Sequence, residues 1–149
     1  MQKLRCILLV EDDPNDAELI RMTLEENKLA NHIVHVWNGK EGLDYLKRQG
    51  PGYGNAEEPA LVILDLKLPK VSGLEVLREI RNDEKLKVMP VVIFTSSHEE
   101  RDIVAGYKLG TNGYVVKPLD FHQFIEAVKQ TGIFWGIINE PSPKAHTEN

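Results

Sequence analysis

The sequence predicts an α/β fold, a doubly wound, five-stranded parallel sheet with the chain order (βα)5. The chain has 149 residues, which is about the size of one domain. Five short apolar segments of strand length recur along it, each bounded by polar turn residues. The segments between them have apolar residues at helical spacing. This alternation is typical of βαβ units with right-handed crossovers.

The predicted strands differ in how strictly apolar they are. The segments beginning at Cys6, Leu61 and Val91 are apolar throughout, which is typical of strands covered on both faces. The second segment is more mixed in polarity, so we expect it to be an edge strand. In chain order, the strands are predicted at residues 6–10, 33–37, 61–64, 91–94 and 114–116.

The predicted helices have recognisable starts and apolar stripes. Asp13 is a predicted N-cap with Pro14 at the first helical position, and Asp120 is the predicted N-cap of the last helix. Residues with the spacing of a helix face that packs on a core are, in chain order, Ala17, Ile20 and Leu24; Leu43 and Leu46; Leu74, Leu77 and Ile80; Ile103, Val104 and Tyr107; and Phe121, Phe124, Ile125 and Val128.

Two segments interrupt this alternation. Residues 49–59 contain three glycines and two prolines, which predicts a loop insertion, either functional or merely tolerated. The predicted domain covers residues 1–131, and residues 132–149 form an extension that is apolar at first and disordered from Glu140 onward. The apolar part of this extension either folds onto its own domain or covers a partner.

Charge and cysteine content exclude several classes of protein. The net charge of −5 at pH 7 provides no overall attraction to nucleic acid or anionic lipid, so neither is an expected partner. Cys6 is the single cysteine and cannot form an internal disulfide, so we expect a buried strand thiol. The sequence shows no signal-peptide pattern and no apolar run of the ~18 residues that a membrane span requires. A cytoplasmic location is therefore predicted.

Polar side chains follow four of the predicted strands at their carboxyl ends. Ligands of doubly wound sheets bind at this edge. Taken singly, these residues are explained as a helix cap, a turn residue, a strand former and a surface cation, but together they indicate a chemical site. In chain order they are Glu11, Asp12 and Asp13; Asp65; Thr95 and Ser96; and Lys117 with Pro118.

The acidic residues of this set require a counter-charge. Two carboxylates repel by about 4 kcal/mol at ~4 Å and an effective dielectric of ~20, so protons or a cation must be bound. A few carboxylates completed by water and phosphate suit Mg²⁺. Lys117 is then the counter-charge for phosphoryl oxygens, and the Thr95 hydroxyl donates to one of them. Asp65 is the predicted nucleophile that forms an aspartyl phosphate, because Asp12 pairs with Glu11 as a metal-binding pair.

The motifs around these residues resemble those of a known family. Over about residues 4–131, the chain resembles the receiver domain of two-component response regulators, the CheY-like family. The resemblance implies a flavodoxin-like sheet with strand order 2-1-3-4-5. The matching segments are ILLVEDDP at 7–14, LDLKLP at 64–69 with SG at 72–73, FTS at 94–96 and GYVVKP at 113–118.

The resemblance implies a role for the acidic residues. Asp65 accepts a phosphoryl group from a phosphohistidine on a sensor histidine kinase. Mg²⁺ is held by Asp12, Asp65 and the backbone carbonyl of Lys67, and Glu11 acts through water. Asp13 falls one place beyond the acid pair of the family and is assigned to capping.

The resemblance also implies which groups contact the phosphoryl oxygens. These are Lys117, Thr95 and the backbone N–H of Ser96. Thr95 and Tyr114 form the conformational switch of the family, in which the hydroxyl moves toward the phosphoryl group and the aromatic ring turns inward. The peptide before Pro118 is cis in the family, which would aim Lys117 inward.

A narrower resemblance concerns the partners. The 49–59 insertion and the aromatic pair Phe134 and Trp135 are similar to single-domain regulators of phytochrome-type histidine kinases, in which a C-terminal aromatic segment supports a homodimer. The resemblance thus implies a phytochrome-type kinase and a homodimer, while the downstream protein is not indicated. The residues after 131 are too few for a DNA-binding or catalytic output domain, so we expect the signal to leave through a surface. We expect that the protein is not an enzyme with a separate substrate, and that it catalyses only its own phosphorylation and autodephosphorylation.

Two alternative functions remain at this point. A haloacid-dehalogenase-like, Mg²⁺-dependent phosphatase also uses an aspartyl nucleophile, but that family has a second Asp at the position occupied here by Lys67. A receiver-like binding module that is never phosphorylated is the other alternative. The sequence argues against it because no expected site residue is missing.

Overall fold

The computed structural model describes residues 5–50, 52–140 and 142, and within them five parallel strands alternate with five α-helices. The strands are β1 (Cys6–Val10), β2 (His32–Val36), β3 (Leu61–Leu64), β4 (Val91–Thr95) and β5 (Gly113–Val116). The helices are α1 (Pro14–Glu26), α2 (Gly39–Lys47), α3 (Gly73–Asn82), α4 (Glu100–Lys108) and α5 (Phe121–Ile133), followed by a π-helical C-terminal segment, Phe134–Ile138.

The strand order is β2-β1-β3-β4-β5, and every neighbouring pair is parallel. Strands β1, β3 and β4 are buried at every position, as their uniformly apolar sequences predict. Helices α1 and α5 cover one face of the sheet, and α2 and α3 cover the other, so a separate apolar core lies on each side. The predicted doubly wound fold is confirmed.

Strand β2 lies at the edge of the sheet, as its mixed polarity predicts, and pairs only with β1. It ends one residue earlier than predicted, because Trp37 lies in the turn directly before the N-cap of α2. The Trp37 N–H donates to Glu41 Oε1 at 2.7 Å, and Asn38 is the N-cap of that helix.

Both predicted N-caps are present. Asp13 Oδ1 accepts hydrogen bonds from the N–H groups of Asn15 and Asp16, and Pro14 occupies the first helical position. Asp120 Oδ2 accepts from the N–H of Gln123 at the start of α5. These caps place the first turns of α1 and α5 beside the carboxyl ends of β1 and β5.

Two helix faces differ from the prediction. Phe121 is 59% exposed rather than part of the core, because α5 begins beyond the end of β5 and its first turn lies outside the sheet; Phe124 and Val128 are buried. In α4, the side chains of Val104 and Tyr107 are exposed. That helix contacts the sheet through Gly106 instead, where an added Cβ would lie 2.9 Å from Ile93 Cδ1.

The described part of the 49–59 segment is a loop packed against α2. The rings of Tyr45 and Tyr53 make an edge contact with centroids 5.4 Å apart, and the Tyr45 hydroxyl donates to the carbonyl of Glu57 at 2.7 Å. Burial raises the pKa of Tyr45, which keeps this hydroxyl a donor.

The C-terminal segment folds onto its own domain. Trp135 and Ile137 pack against the α1 and α5 side of the core, while Phe134 and Ile138 remain exposed. Close approach to α1 depends on Gly132, where an added Cβ would lie 2.5 Å from Leu24 Cδ2. The predicted disorder from Glu140 to Asn149 falls outside the described residues, apart from residues 140 and 142. None of the described helices is long and apolar enough to cross a membrane.

Candidate functional site

The carboxyl ends of four strands bring the predicted polar residues to one edge of the sheet. Glu11 follows β1, Asp65 follows β3, Thr95 ends β4 and Lys117 follows β5. All four side chains are buried. Burial of three ionisable groups and a hydroxyl at one point is costly unless each is paired, so their contacts define the site.

Lys117 is the centre of this cluster. Its Nζ lies 2.8 Å from Glu11 Oε1, 2.8 Å from Asp16 Oδ2 and 3.1 Å from Asp65 Oδ2. The Lys117 N–H donates to the carbonyl of Thr95 at 2.7 Å, which extends the β4–β5 pairing and directs the side chain to the site.

The peptide before Pro118 is trans, as is every peptide within the described residues, so the cis peptide implied by the resemblance is not observed. The backbone hydrogen bond of Lys117 to β4 and its long aliphatic stem are sufficient to bring Nζ among the carboxylates.

One ammonium group faces several carboxylates, and the pKa values follow from that imbalance. Burial lowers the pKa of Lys117, but the hydrogen bonds that Lys117 donates to Asp16 and Glu11, together with the charge of Asp65, outweigh burial and raise the pKa above its ordinary value. Burial and the charge of Asp65 raise the pKa of Glu11, and Lys117 only partly opposes them. The cluster therefore favours uptake of a further positive charge.

Three carboxylates are close enough to bind that charge as a metal ion. Oxygen atoms of Glu11, Asp12 and Asp65 lie within 4.8 Å of one another. Glu11 and Asp65 are buried, whereas Asp12 is exposed at the opening of the site. Carboxylate oxygens are hard ligands, so the set fits a hard divalent cation such as Mg²⁺ or Mn²⁺. Asp13 contributes its N–H to Glu11 Oε2 at 3.1 Å, in addition to its capping role.

Asp65 is fixed in orientation by both of its oxygens. Oδ1 accepts from the N–H of Leu66 at 2.7 Å, and Oδ2 faces Lys117. The chain passes closely behind it at Gly73, where an added Cβ would lie 2.2 Å from the Asp65 carbonyl oxygen. Lys67 lies two residues after Asp65 with its side chain exposed.

The residues after β4 connect Thr95 to Tyr114. The Ser97 N–H donates to Thr95 Oγ1 at 3.4 Å, and the Tyr114 hydroxyl donates to the Ser97 carbonyl at 3.0 Å. Ser97 also donates from its own hydroxyl to Asp102 Oδ2 in the first turn of α4, at 2.5 Å. Ser96, between them, is exposed. The two predicted switch residues are thus joined through a single residue of the β4–α4 loop.

The structure adds site residues that the sequence analysis did not identify. Asp16 binds Lys117, and Ser97 and Asp102 form the β4–α4 link. Asp16 lies in the first turn of a helix that starts at the same sheet edge, and this position could have indicated it. Phe134 and Trp135 lie away from the site, since their segment packs near the start of β1.

Comparisons with known proteins agree with this geometry. The family model of the response regulator receiver domain matches residues 7–129. Response regulator Rcp1 of Synechocystis sp. is 37% identical over 131 residues, which cover 88% of each chain. The Mn²⁺-bound structure of Rcp1 has a TM-score of 0.87 at 35% identity, covering 93% of this chain and 99% of that one.

Two further solved structures are similar. The phosphorylated cyanobacterial phytochrome response regulator RcpA is 40% identical with a TM-score of 0.85, covering 89% of this chain and 94% of its own. The bacteriophytochrome response regulator RtBRR is 51% identical with a TM-score of 0.73, covering 97% of this chain and 87% of its own. These comparisons favour a receiver domain over the haloacid-dehalogenase-like alternative.

Proposed function

This chain belongs to the response regulator receiver domain family, and we propose that Asp65 is the residue on which it accepts a phosphoryl group from a sensor histidine kinase. The observation that carries the proposal is the placement of Asp65. It is buried at the end of β3 between the N–H of Leu66 and the ammonium group of Lys117. A carboxylate held in one orientation beside a cation is suited to nucleophilic attack on a phosphoryl group.

The transfer forms one bond and breaks one. A lone pair of the Asp65 carboxylate attacks phosphorus, and the P–N bond to the kinase histidine breaks with its electron pair left on the imidazole nitrogen. Lys117 compensates negative charge on the phosphoryl oxygens, and the Thr95 hydroxyl and the N–H of Ser96 donate hydrogen bonds to them. The chain catalyses this step and the later hydrolysis on itself, without turnover of a separate substrate.

The metal of the site is proposed to be Mg²⁺. Asp12, Asp65 and the carbonyl of Lys67 would hold it, with Glu11 acting through water. When bound, the ion neutralises charge on the phosphoryl oxygens. The Mn²⁺-bound structure of Rcp1 and the excess of carboxylates over ammonium groups in this chain support the assignment.

The assignment of Asp65 is tested by labelling the full chain with acetyl phosphate and Mg²⁺ and measuring its intact mass. We expect one added phosphoryl group that is stable to acid and labile to base. Asp65→Asn should remain unlabelled, whereas the matched variant Asp13→Asn, which removes an acid from the same edge but outside the proposed machinery, should be labelled. Labelling of Asp65→Asn would refute the assignment, and no labelling of the wild type would favour the unphosphorylated module instead.

The proposed switch follows the same residues. When Thr95 turns its hydroxyl to the phosphoryl group, its bond to Ser97 is lost, and Tyr114 is released from the Ser97 carbonyl. In a chain with Trp37 and Trp135 replaced by Phe, the tyrosine fluorescence should then change on phosphorylation, and this change should be absent when Tyr114→Phe is added. An unchanged signal in a fully labelled sample would contradict this switch.

The kinase is proposed to be of the phytochrome type, since RcpA and RtBRR are described as phytochrome response regulators. Phosphotransfer from a panel of purified histidine kinases tests this directly, and faster transfer from kinases of another class would contradict it. We further propose a cytoplasmic location and a receiver domain at about residues 1–131. The downstream protein that receives the signal is not identified by the sequence. The buried, unpaired thiol of Cys6 suits a reducing compartment.

A homodimer through the C-terminal segment is also proposed. Phe134 is exposed and available to a second copy of the chain. Trp135 packs on its own domain and would hold the neighbouring Phe134 in place. Sedimentation of Phe134→Ser should show weaker self-association than the wild type. Equal self-association of the two chains would refute this contact.

A further inference from the structure

The end of strand β2 holds the acidic turn that follows β1. The N–H of Glu11 donates to the carbonyl of Val36 at 3.2 Å, and the carbonyl of Glu11 lies 2.8 Å from His35 Nε2. A carbonyl oxygen can only accept, so His35 Nε2 must have the proton and donate it. Both backbone polar groups of Glu11 are therefore bound by one edge strand.

An aromatic ring covers this histidine. The rings of His35 and Trp37 have centroids 4.2 Å apart, and Trp37 is itself fixed through its N–H to Glu41. Trp37 is 47% exposed and His35 is half-buried, so the indole shields part of the imidazole from solvent. A hydrogen bond screened from water in this way is stronger than an exposed one and holds its donor ring in one orientation.

We propose that His35 is a positioning residue for the divalent-cation site. By holding the Glu11 carbonyl, it fixes the peptide between Glu11 and Asp12. The direction of that peptide determines where the exposed Asp12 carboxylate points relative to Asp65. This inference rests on the proposed function, because it concerns the cation that the Asp65 site would bind.

The physical reason is that Asp12 depends on its backbone for orientation. Glu11 has additional anchors, since its carboxylate is bound by Lys117 and by the N–H of Asp13. Asp12 is exposed at the opening of the site. Loss of the His35 donor leaves the carbonyl of the Glu11–Asp12 peptide without this hydrogen bond and the peptide less constrained, so cation binding must then also order it. Residues that orient metal ligands in this way typically change metal affinity by about 10- to 100-fold when replaced.

The test measures Mn²⁺ affinity of the full chain by isothermal titration calorimetry. His35→Phe keeps a ring under Trp37 but has no donor, and we expect it to weaken Mn²⁺ binding by about tenfold or more. His35→Gln can donate from its side-chain amide, and we expect it to retain affinity within about threefold. His32→Phe, on the exposed start of the same strand, is the matched control and should bind as the wild type does.

Two results would overturn the inference while leaving the proposed function intact. In the first, His35→Phe binds Mn²⁺ as tightly as the wild type. In the second, His35→Gln is as impaired as His35→Phe, which would indicate packing rather than hydrogen bonding. If the wild type and Asp12→Asn bind Mn²⁺ equally, the proposed cation site is wrong and the inference fails with it, whereas labelling of Asp65 still tests the phosphoryl transfer.

A measurement on the wild type tests the inference even where a variant fails to fold. Imidazole ¹⁵N–¹H correlation spectra at neutral pH should show His35 with its proton on Nε2 and protected from solvent exchange. A proton on Nδ1 alone would overturn the inference, because no donor would then face the Glu11 carbonyl.

Discussion

At the carboxyl end of the sheet, Lys117 is buried among Glu11, Asp16 and Asp65, whereas at the amino end the C-terminal segment packs apolar side chains against α1. The first region concentrates charge that the core would otherwise exclude. The second achieves its close packing by omitting a side chain at Gly132. One end of the sheet is therefore built for chemistry at a cost in stability, and the other end compensates by apolar burial.

The largest expected effect comes from removing Lys117, the cation at the centre of the charged end. Lys117→Met leaves Glu11 and Asp65 buried without their partner, and we expect the free energy of unfolding to fall by about 3–5 kcal/mol in the absence of divalent ions. Urea denaturation measures this. Lys40→Met, which breaks an exposed pair with Asp44, is the control and should cost less than about 1 kcal/mol. Equal effects of the two variants would show that the buried cluster is not the costly element.

A substitution at the apolar end should lower stability without preventing phosphorylation. Leu24 is fully buried beside Gly132, so Leu24→Ala should lower the free energy of unfolding by about 2–5 kcal/mol. Labelling by acetyl phosphate should persist in the fraction that is folded. Met22→Ala, on the exposed side of the same helix, should change stability by less than about 0.5 kcal/mol. Loss of labelling in folded Leu24→Ala would show that the two ends are coupled.

A pH dependence of stability is also expected, and it is confined to the charged end. Burial and Asp65 raise the pKa of Glu11 from the ordinary 4.5 to about 8, so the folded state binds this proton more tightly than the unfolded state does. The resulting stability is present below about pH 4.5 and is lost as the pH rises through about 8. Without divalent ions, the denaturation midpoint should therefore fall over this window in the wild type.

The matched chain for that measurement is Glu11→Gln, which keeps the shape of the side chain and cannot titrate. Its midpoint should depend less on pH over the same window, and added Mg²⁺ should flatten the wild-type curve. A wild-type midpoint that rises through the window would contradict the raised pKa of Glu11.

Much of the fold could be predicted because its signals are local. Uniformly apolar strands, the N-caps Asp13 and Asp120, and the mixed polarity of β2 each depend on a few neighbouring residues. The prediction was wrong for Phe121, which lies in the first turn of α5 outside the sheet, and for Val104 and Tyr107, because α4 turns Gly106 toward the sheet instead. Periodicity shows which residues share a face and not what that face contacts.

The candidate site, too, could be predicted only where its signals are local. Local motifs were enough to indicate Asp65, Thr95 and Lys117 and the sheet edge where they meet, because parallel strands place their carboxyl ends together. The pairing of Lys117 with Glu11 joins residues 106 positions apart, and the contact of His35 with Glu11 crosses from one strand to another. Such contacts depend on register and side-chain reach, which arise when the chain folds. For this reason the chemical class of the site follows from sequence patterns, while its charge balance and the anchoring of its acidic turn follow from tertiary packing.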